Sequence, residues 1–343
     1  MGARRPRLRR HGGLSRMRRG GAGGTRRRTL LAAPALLVGP ARAQEGWPDR
    51  PLRFVVSAQV GGVSDILVRI FEARLRERLG QPLYVDPRPG AGGQIAAESV
   101  IRPQDGHSLL VNHIAGHGIG PSLHRNRSYD PLRDMPGVVR LCAMPNVLIT
   151  RGALPVRSVA ELVAHIRANP RAATFSSAGS GTSSHLSGLL FGQIMGVEVT
   201  HVPYRGTAPS MLAVLNGEVL FNIDNAPVSR PHVVSGALRA IGVSTAKRAA
   251  AMPDLPTLAE QGVTGFDVAS WYGIAAPAAM PPPVVARLEA VFLEALRDPG
   301  IHARLAEIGA EPWPLGTAAY NAFMRAEVAR WAPVVAASGA TVD

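Results

Sequence analysis

Two stretches of this chain place glycine, hydroxyl and ionisable side chains at a spacing suited to holding an anion. The first is Arg53-Phe-Val-Val-Ser-Ala-Gln-Val-Gly-Gly-Val-Ser-Asp65; the second, about 120 residues later, is Ala173-Thr-Phe-Ser-Ser-Ala-Gly-Ser-Gly-Thr-Ser-Ser-His185. Each reads as a short β-strand, a glycine-rich turn and the opening of a helix. The first amides of a helix have no intrahelical acceptor, and the helix dipole adds partial positive charge there. Such a turn can therefore cradle a carboxylate or phosphate. The candidate contact residues are Gln59, Val60, Gly61, Gly62, Ser64 and Asp65 in the first turn, with Ser64 or Asp65 as helix cap. In the second they are Gly181, Thr182, Ser183 and His185. Alone, the first turn is also an ordinary capped strand-to-helix loop. Two copies in a chain long enough for two lobes point to half-sites facing one cleft.

Catalytic alternatives fail on residue type and spacing. No Gly-x-Ser-x-Gly elbow surrounds Ser183 or Ser184, and adjacent helical residues such as Ser184 and His185 cannot form a nucleophile–base pair. His185 reads equally as a hydrogen-bond donor or a core histidine. Arg88-Pro-Gly-Ala-Gly-Gly93 lacks the lysine of a phosphate-binding P-loop, and Ile95 stands where a dinucleotide fingerprint needs its third glycine. A tight turn that walls the cleft is the simpler use. His113, His117 and His201 invite a metal reading. However, His113 and His117 fall in a glycine-rich loop, with no His-Glu-x-x-His and no clear third ligand. Neither metal nor cofactor is expected.

Two further segments sit where strands end. Tyr204 and Arg205 follow a strand; Tyr204 suits closure over a ligand and Arg205 pairing with a carboxylate, although an exposed turn fits too. Asp224 and Asn225 end another strand, with a structural turn before Pro227 as the competing reading.

The elements that must position these residues alternate in type. Strands are expected at 52–57, 82–85, 107–112, 147–151, 174–177, 198–202, 218–223, 240–244 and 270–276. Helices are expected at 65–79, 94–100, from Ser158, after Gly181, at 208–216, 283–297 and 302–308, and at 317–337 with a break at Pro333. Ser158-Val-Ala-Glu161 has the form of a reciprocal capping box. Repeated β-α units imply an α/β fold of mostly parallel sheets with helices on both faces. Ligands of such sheets bind beyond the carboxyl ends of the strands, where both glycine turns lie.

Charge is distributed unevenly. Residues 1–43 hold 12 arginines and no acidic residue; without them the net charge falls from +14 to +2, with 26 basic against 24 acidic residues. The high isoelectric point belongs to this leader, so nucleic-acid binding is not expected. Its basic region, the apolar run 29–38 and Ala41-Arg42-Ala43 form an export signal with cleavage after Ala43. Arg26-Arg27-Arg28 leaves Sec and twin-arginine export both open, and Met17 is an alternative start. The apolar run is shorter than the roughly 20 residues a bilayer requires. The remaining 300 residues suffice for two domains, and the single cysteine, Cys142, excludes an internal disulfide.

Read together, several segments resemble the Bug family of extracytoplasmic solute receptors, the binding components of tripartite tricarboxylate transporters. They are Arg53–Asp65, Arg88–Gly93, Asp105-Gly-His-Ser-Leu-Leu110, Tyr129-Asp-Pro-Leu-Arg-Asp134, Gly181–Leu186, His201-Val-Pro-Tyr-Arg-Gly206, Leu238–Arg248, Pro253–Glu260 and Trp271–Pro277. The resemblance runs in order over 47–343. It implies a periplasmic, type II Venus-flytrap protein: lobe 1 from 44–144 and 268–343, lobe 2 from 145–267, joined by two crossover strands. It also implies a monomer that holds a small organic carboxylate, partly through water, and delivers it to a two-subunit integral membrane permease, sometimes encoded elsewhere. A ligand-sensing subunit of a membrane signalling protein and, further off, an exported hydrolase are the alternatives. Carried over by position, the first turn, Gly181–His185 and Tyr204–Gly206 match the family's ligand loops, with Arg205 where lysine is common. Asn112–Gly118, including His113 and Ala115, and Asp224-Asn225 fall where the family lines its cleft. Ser57 and Ala58 replace the family's usual Pro-Phe or Pro-Tyr, which makes that wall smaller and more polar.

Overall fold

Apolar, β-branched runs bounded by glycine and proline form the strands, and stretches with helical apolar spacing form the helices that cover them. The computed structural model describes residues 46–338 except Arg125. The expected leader, its cleavage point and Met17 lie outside these residues. The chain begins with β1 (Leu52–Val56), α1 (Val63–Leu79), β2 (Leu83–Pro87), α2 (Gln94–Ile101) and β3 (Ser108–His113). A π-helical turn, Ala115–Ile119, and α3 (Gly120–Leu123) precede β4 (Gly137–Arg151). Then come α4 (Val159–Ala168), β5 (Thr174–Ser177), α5 (Ser183–Met195), β6 (Thr200–Pro203) and α6 (Thr207–Asn216). These are followed by β7 (Phe221–Asn225), α7 (Ala226–Val234), β8 (Leu238–Val243) and β9 (Ala269–Ala275). The last elements are α8 (Pro282–Ala295), α9 (Pro299–Glu307), β10 (Glu311–Leu315) and α10 (Thr317–Ser338).

The strand order is β2-β1-β3-β9-β4-β7-β5-β6, with β10 and β8 also paired to β4. β1 lies parallel between β2 and β3, and β5 parallel between β6 and β7. Between these two parallel sets β4 and β9 run antiparallel. Residues 137–145 of β4 pair with β9, while 146–151 pair with β7 and β8. One fifteen-residue strand thus belongs to both halves of the sheet, and it places the carboxyl ends of β1 and β5 on either side of the crossover.

Two main cores follow. In the first, Phe292 of α8 meets Phe54 and Phe71 edge-on at 6.3 and 5.6 Å. In the second, Phe221 stacks on Phe175 and meets Phe191 of α5 at a tilt, both at 5.6 Å. Each such fully buried phenylalanine contributes about 1.5–3 kcal/mol. The second core spans the crossover: α10 inserts Tyr320, Met324 and Trp331 among Ile114, Leu123 and Trp271 as well as Phe175 and Leu186. Glu327 anchors it by accepting from the indole N–H groups of Trp271 and Trp331 at 2.9 and 3.3 Å.

Other local expectations are corrected. The stretch after His113 is a helical turn, not a loop. α10 continues through Pro333. Ser158 caps α4 by accepting from Glu161 N, but Glu161 answers the amide of Arg157 instead of that of Ser158. α1 opens at Val63, two residues early. Its cap is Gly62, without a side-chain bond, so neither Ser64 nor Asp65 is the cap.

Candidate functional site

The two glycine turns share hydrogen bonds and glycine conformation at positions 120 residues apart. Gly62 N donates to Gln59 O at 3.0 Å, as Thr182 N does to Gly179 O at 3.3 Å. Gly61 and Gly181 both hold the left-handed conformation, with φ of 81° and 78°, which a β-carbon disfavours. In each turn that glycine amide is held by the side chain four residues on. Gly61 N donates to Asp65 Oδ2 at 2.8 Å, and Gly181 N donates to His185 Nδ1 at 3.1 Å. The last bond fixes the neutral tautomer of His185 with its proton on Nε2. The turn serines match too: Ser57 Oγ lies 2.8 Å from His113 Nε2, and Ser177 Oγ 2.6 Å from His201 Nε2.

Chemically the turns differ. Asp65 is buried and tied twice, since its Oδ1 also accepts from Arg69 Nε at 3.0 Å. It orders the loop and its charge is paired. Val60 stands exposed at the tip and Gln59 is exposed beside it. α1 then presents its first amides with no side chain on them. In the second turn Thr182 caps α5 by accepting from His185 N at 3.4 Å, and also donates to Gly179 O at 2.7 Å. Ser184 Oγ accepts from Ala178 N at 3.0 Å. Ser183 Oγ meets Ser270 Oγ at 2.9 Å, and Ser270 donates to Asn146 Oδ1 at 3.3 Å. The second turn is thereby fastened to both crossover strands.

His185 and His201 stack with ring centroids 3.8 Å apart, and His185 lies over Phe175. Burial holds the pKa of each down to about 4, and for His185 the neighbouring His201 adds to the effect. Burial likewise takes His113 down to about 4, and His117 to about 3 with help from His113 and Arg127. All four imidazoles are neutral at pH 7. His113 and His201 are committed to Ser57 and Ser177, His117 Nε2 is buried without a partner, and no metal-ligating cluster occurs among the described residues.

The other candidates occupy mixed positions. His113 bridges outward from Ser57 to the Tyr272 ring, 5.9 Å away on β9. Ala115 opens the helical turn behind it. Gly93 neighbours Ser57, and a β-carbon there would make an ordinary contact 3.4 Å from Ser57 Cβ. Tyr204 contributes backbone only, its N donating to Ser177 O, while its hydroxyl donates to Glu218 at 3.1 Å. Arg205 is exposed. Asp224 is buried, with Oδ1 accepting from Asn225 N at 2.8 Å and Oδ2 without a partner. Burial raises its pKa to about 6, partly offset by that amide and by the hydroxyls of Thr207 and Ser184. Asn225 Oδ1 is also buried without a partner.

Sequence reading missed Asn146, Thr207, Ser270 and Tyr272. Their only sequence signal is a polar residue inside an apolar strand, as in Asn146 and Ser270.

The halves also touch directly. Leu123 of α3 seals the second turn, such that a β-carbon on Gly181 would fall 2.1 Å from Leu123 Cδ2. The model of the tripartite tricarboxylate transporter family receptor matches residues 67–340. The chain belongs to this family. Among relatives, the protein BugT of Bordetella pertussis is 31% identical over 313 residues, covering 91% of this chain and 96% of its own. Among solved structures, R. palustris Rpa4515 with adipate is 37% identical with a TM-score of 0.77, covering 86% of this chain and all of that one. MatC from Rhodopseudomonas palustris with bound malate is 32% identical with a TM-score of 0.73, covering 84% of this chain and all of that one. The fold is the two-lobed α/β architecture of periplasmic binding proteins, and the family is one of solute receptors.

Proposed function

We propose that this receptor captures a small organic carboxylate between its two glycine turns and delivers it to a two-subunit membrane permease. The observation that carries the reading is the pair of matched turns at the carboxyl ends of β1 and β5, each heading a helix long enough to carry a dipole. Relatives solved with adipate and with malate support the ligand class. The site comprises Gln59 to Gly62, Ser64, His113, Ala115, Gly181 to Ser183, His185, Asp224 and Asn225, with Asp65 ordering the first loop and Tyr204 and Arg205 at the rim. The lobes divide at residues 44–144 with 268–343, and 145–267, with β4 and β9 as the crossover strands. The protein works as a periplasmic monomer after loss of residues 1–43.

Magnitudes suit this role. A partly buried helix N-terminus contributes up to ~2 kcal/mol toward an anion, and each hydrogen bond to a carboxylate roughly 1.5–3 kcal/mol. Two turns therefore reach micromolar binding, about 8 kcal/mol. A thermal-shift screen of residues 44–343 against mono-, di- and tricarboxylates and neutral solutes tests it. A true ligand at a hundredfold its Kd stabilises by about 2.7 kcal/mol. A shift from neutral solutes and from no carboxylate overturns the reading.

A further inference from the structure

The second turn carries a hydroxyl that the first does without. At matching positions Ser183 opens α5 and Val63 opens α1, and Val63 packs against the first core. An anion cradle therefore does not require a hydroxyl at this point, because its donors are the free backbone amides of the helix head. At the head of α5 the amides of Ser183 and Ser184 make no hydrogen bond among the described residues.

Counting protons shows what the Ser183 hydroxyl does instead. Ser270, on β9, donates its single hydroxyl proton to Asn146 Oδ1 on β4 at 3.3 Å. In the 2.9 Å contact between the two serines, Ser183 must then be the donor. Its proton is spent on the crossover strand, and Ser183 Oγ has none left for a ligand carboxylate. Asn146 fixes that polarity. Its Nδ2 is buried without a partner, and Asn225, its register partner on β7, has a buried Oδ1 without a partner. Turning the Asn146 amide over would replace an orphan donor by an orphan acceptor, next to an acceptor that already lacks a donor. Ser183, Ser270 and Asn146 are all buried, so bulk water does not stand in for these bonds.

Resting on the carboxylate-receptor reading, we infer that Ser270 and Asn146 are positioning residues for ligand capture: through the Ser183 hydroxyl they pin the head of α5 to the crossover strands. The two free amides then meet the ligand carboxylate at a fixed angle to the hinge. Ser183 touches the ligand with its amide alone, and neither Ser270 nor Asn146 touches it. The pin contributes by preorganisation, since a helix head that can swing must be ordered when the ligand binds.

A double-mutant cycle on affinity separates a pin from a ligand contact. Calorimetry with purified residues 44–343 and malate, adipate or citrate should show Ser183→Ala and Ser270→Ala each weakening the tightest-binding acid by about fivefold, and the double variant no weaker than either alone within twofold. Ser270→Thr keeps the hydroxyl and should bind within twofold of the unmodified protein. Loss in Ser183→Ala with unchanged affinity in Ser270→Ala makes the Ser183 hydroxyl a direct ligand donor and overturns the inference. Losses that multiply in the double variant overturn it too. So does a folded Ser270→Thr that binds fivefold more weakly, which would assign the effect to packing. Each of these results leaves the carboxylate reading standing. Binding of none of the three acids defeats that reading and takes the inference with it.

Discussion

The loop at Ser57–Asp65 and the loop at Ser177–His185 share a backbone and differ in what locks it. One is held by a carboxylate whose charge Arg69 neutralises at the half-exposed surface; the other by a neutral imidazole stacked in the protein interior. Geometry is thus set by the glycine and the amide bond it offers, whereas the chemistry of the lock is free to vary. The second loop is also fastened to β4 and β9 and covered by Leu123, while the first leaves Val60 in solvent. The first loop is therefore the adaptable jaw and the second the fixed one.

The largest expected effect separates the loops by pH. Protonation at Nδ1 would remove the acceptor that His185 offers Gly181. Its folded pKa, about 4, lies below the unfolded value near 6.5. The stabilisation is therefore complete above pH 6.5 and is lost as pH falls toward 4. At ~1.36 kcal/mol per pKa unit this is on the order of 3 kcal/mol. Denaturant melts between pH 7 and 4 should show the decline, and His185→Gln should flatten part of it. An identical pH profile in that variant breaks the assignment.

Gly181→Ala comes next. It combines left-handed strain of about 1–2 kcal/mol with a clash on Leu123 that costs about 1–3 more. Gly61→Ala meets open space and should cost only the strain. Equal melting points for the two variants would erase the distinction between fixed and adaptable jaws. Ser177→Ala removes contacts to both Gly179 O and N and to His201, so it should cost about 1–3 kcal/mol. Ser57→Ala, with its single contact to His113, should cost nearer 1 kcal/mol. The smallest effect is expected from Arg69→Met. Arg69 is half exposed, and the buried Asp65 keeps the Gly61 amide, so stability should change by about 1 kcal/mol and ligand affinity by under twofold.

Legibility in the sequence followed the same division. β5 and α5 could be read from local signals: Phe175 in a short strand, Thr182 before the helix, Gly196 after it. α1 was misplaced by two residues because its cap is backbone alone, which no side chain announces. The first part of β4 was hidden by Arg140, whose charge is tolerated because its guanidinium stacks 3.5 Å from the Trp313 ring and 4.4 Å from that of Phe323. β10 and α7 carry prolines at positions 312, 314, 227 and 231, which argue locally against strand and helix. At the site, both turns were readable because they are contiguous. The Ser183–Ser270–Asn146 chain spans 87 and 124 residues and exists only once the crossover strands are paired.

That crossover carries the only thiol in the chain. Cys142 lies opposite Tyr272 in the pairing of β4 with β9, is fully buried, and has its pKa pushed up to about 12 by that burial. Thiol reagents attack the thiolate, so modification requires the paired strands to separate. The cysteine is consequently a native clock: the rate at which a disulfide reagent labels it measures how often the pairing of β4 with β9 opens over the first core, with no engineered reporter.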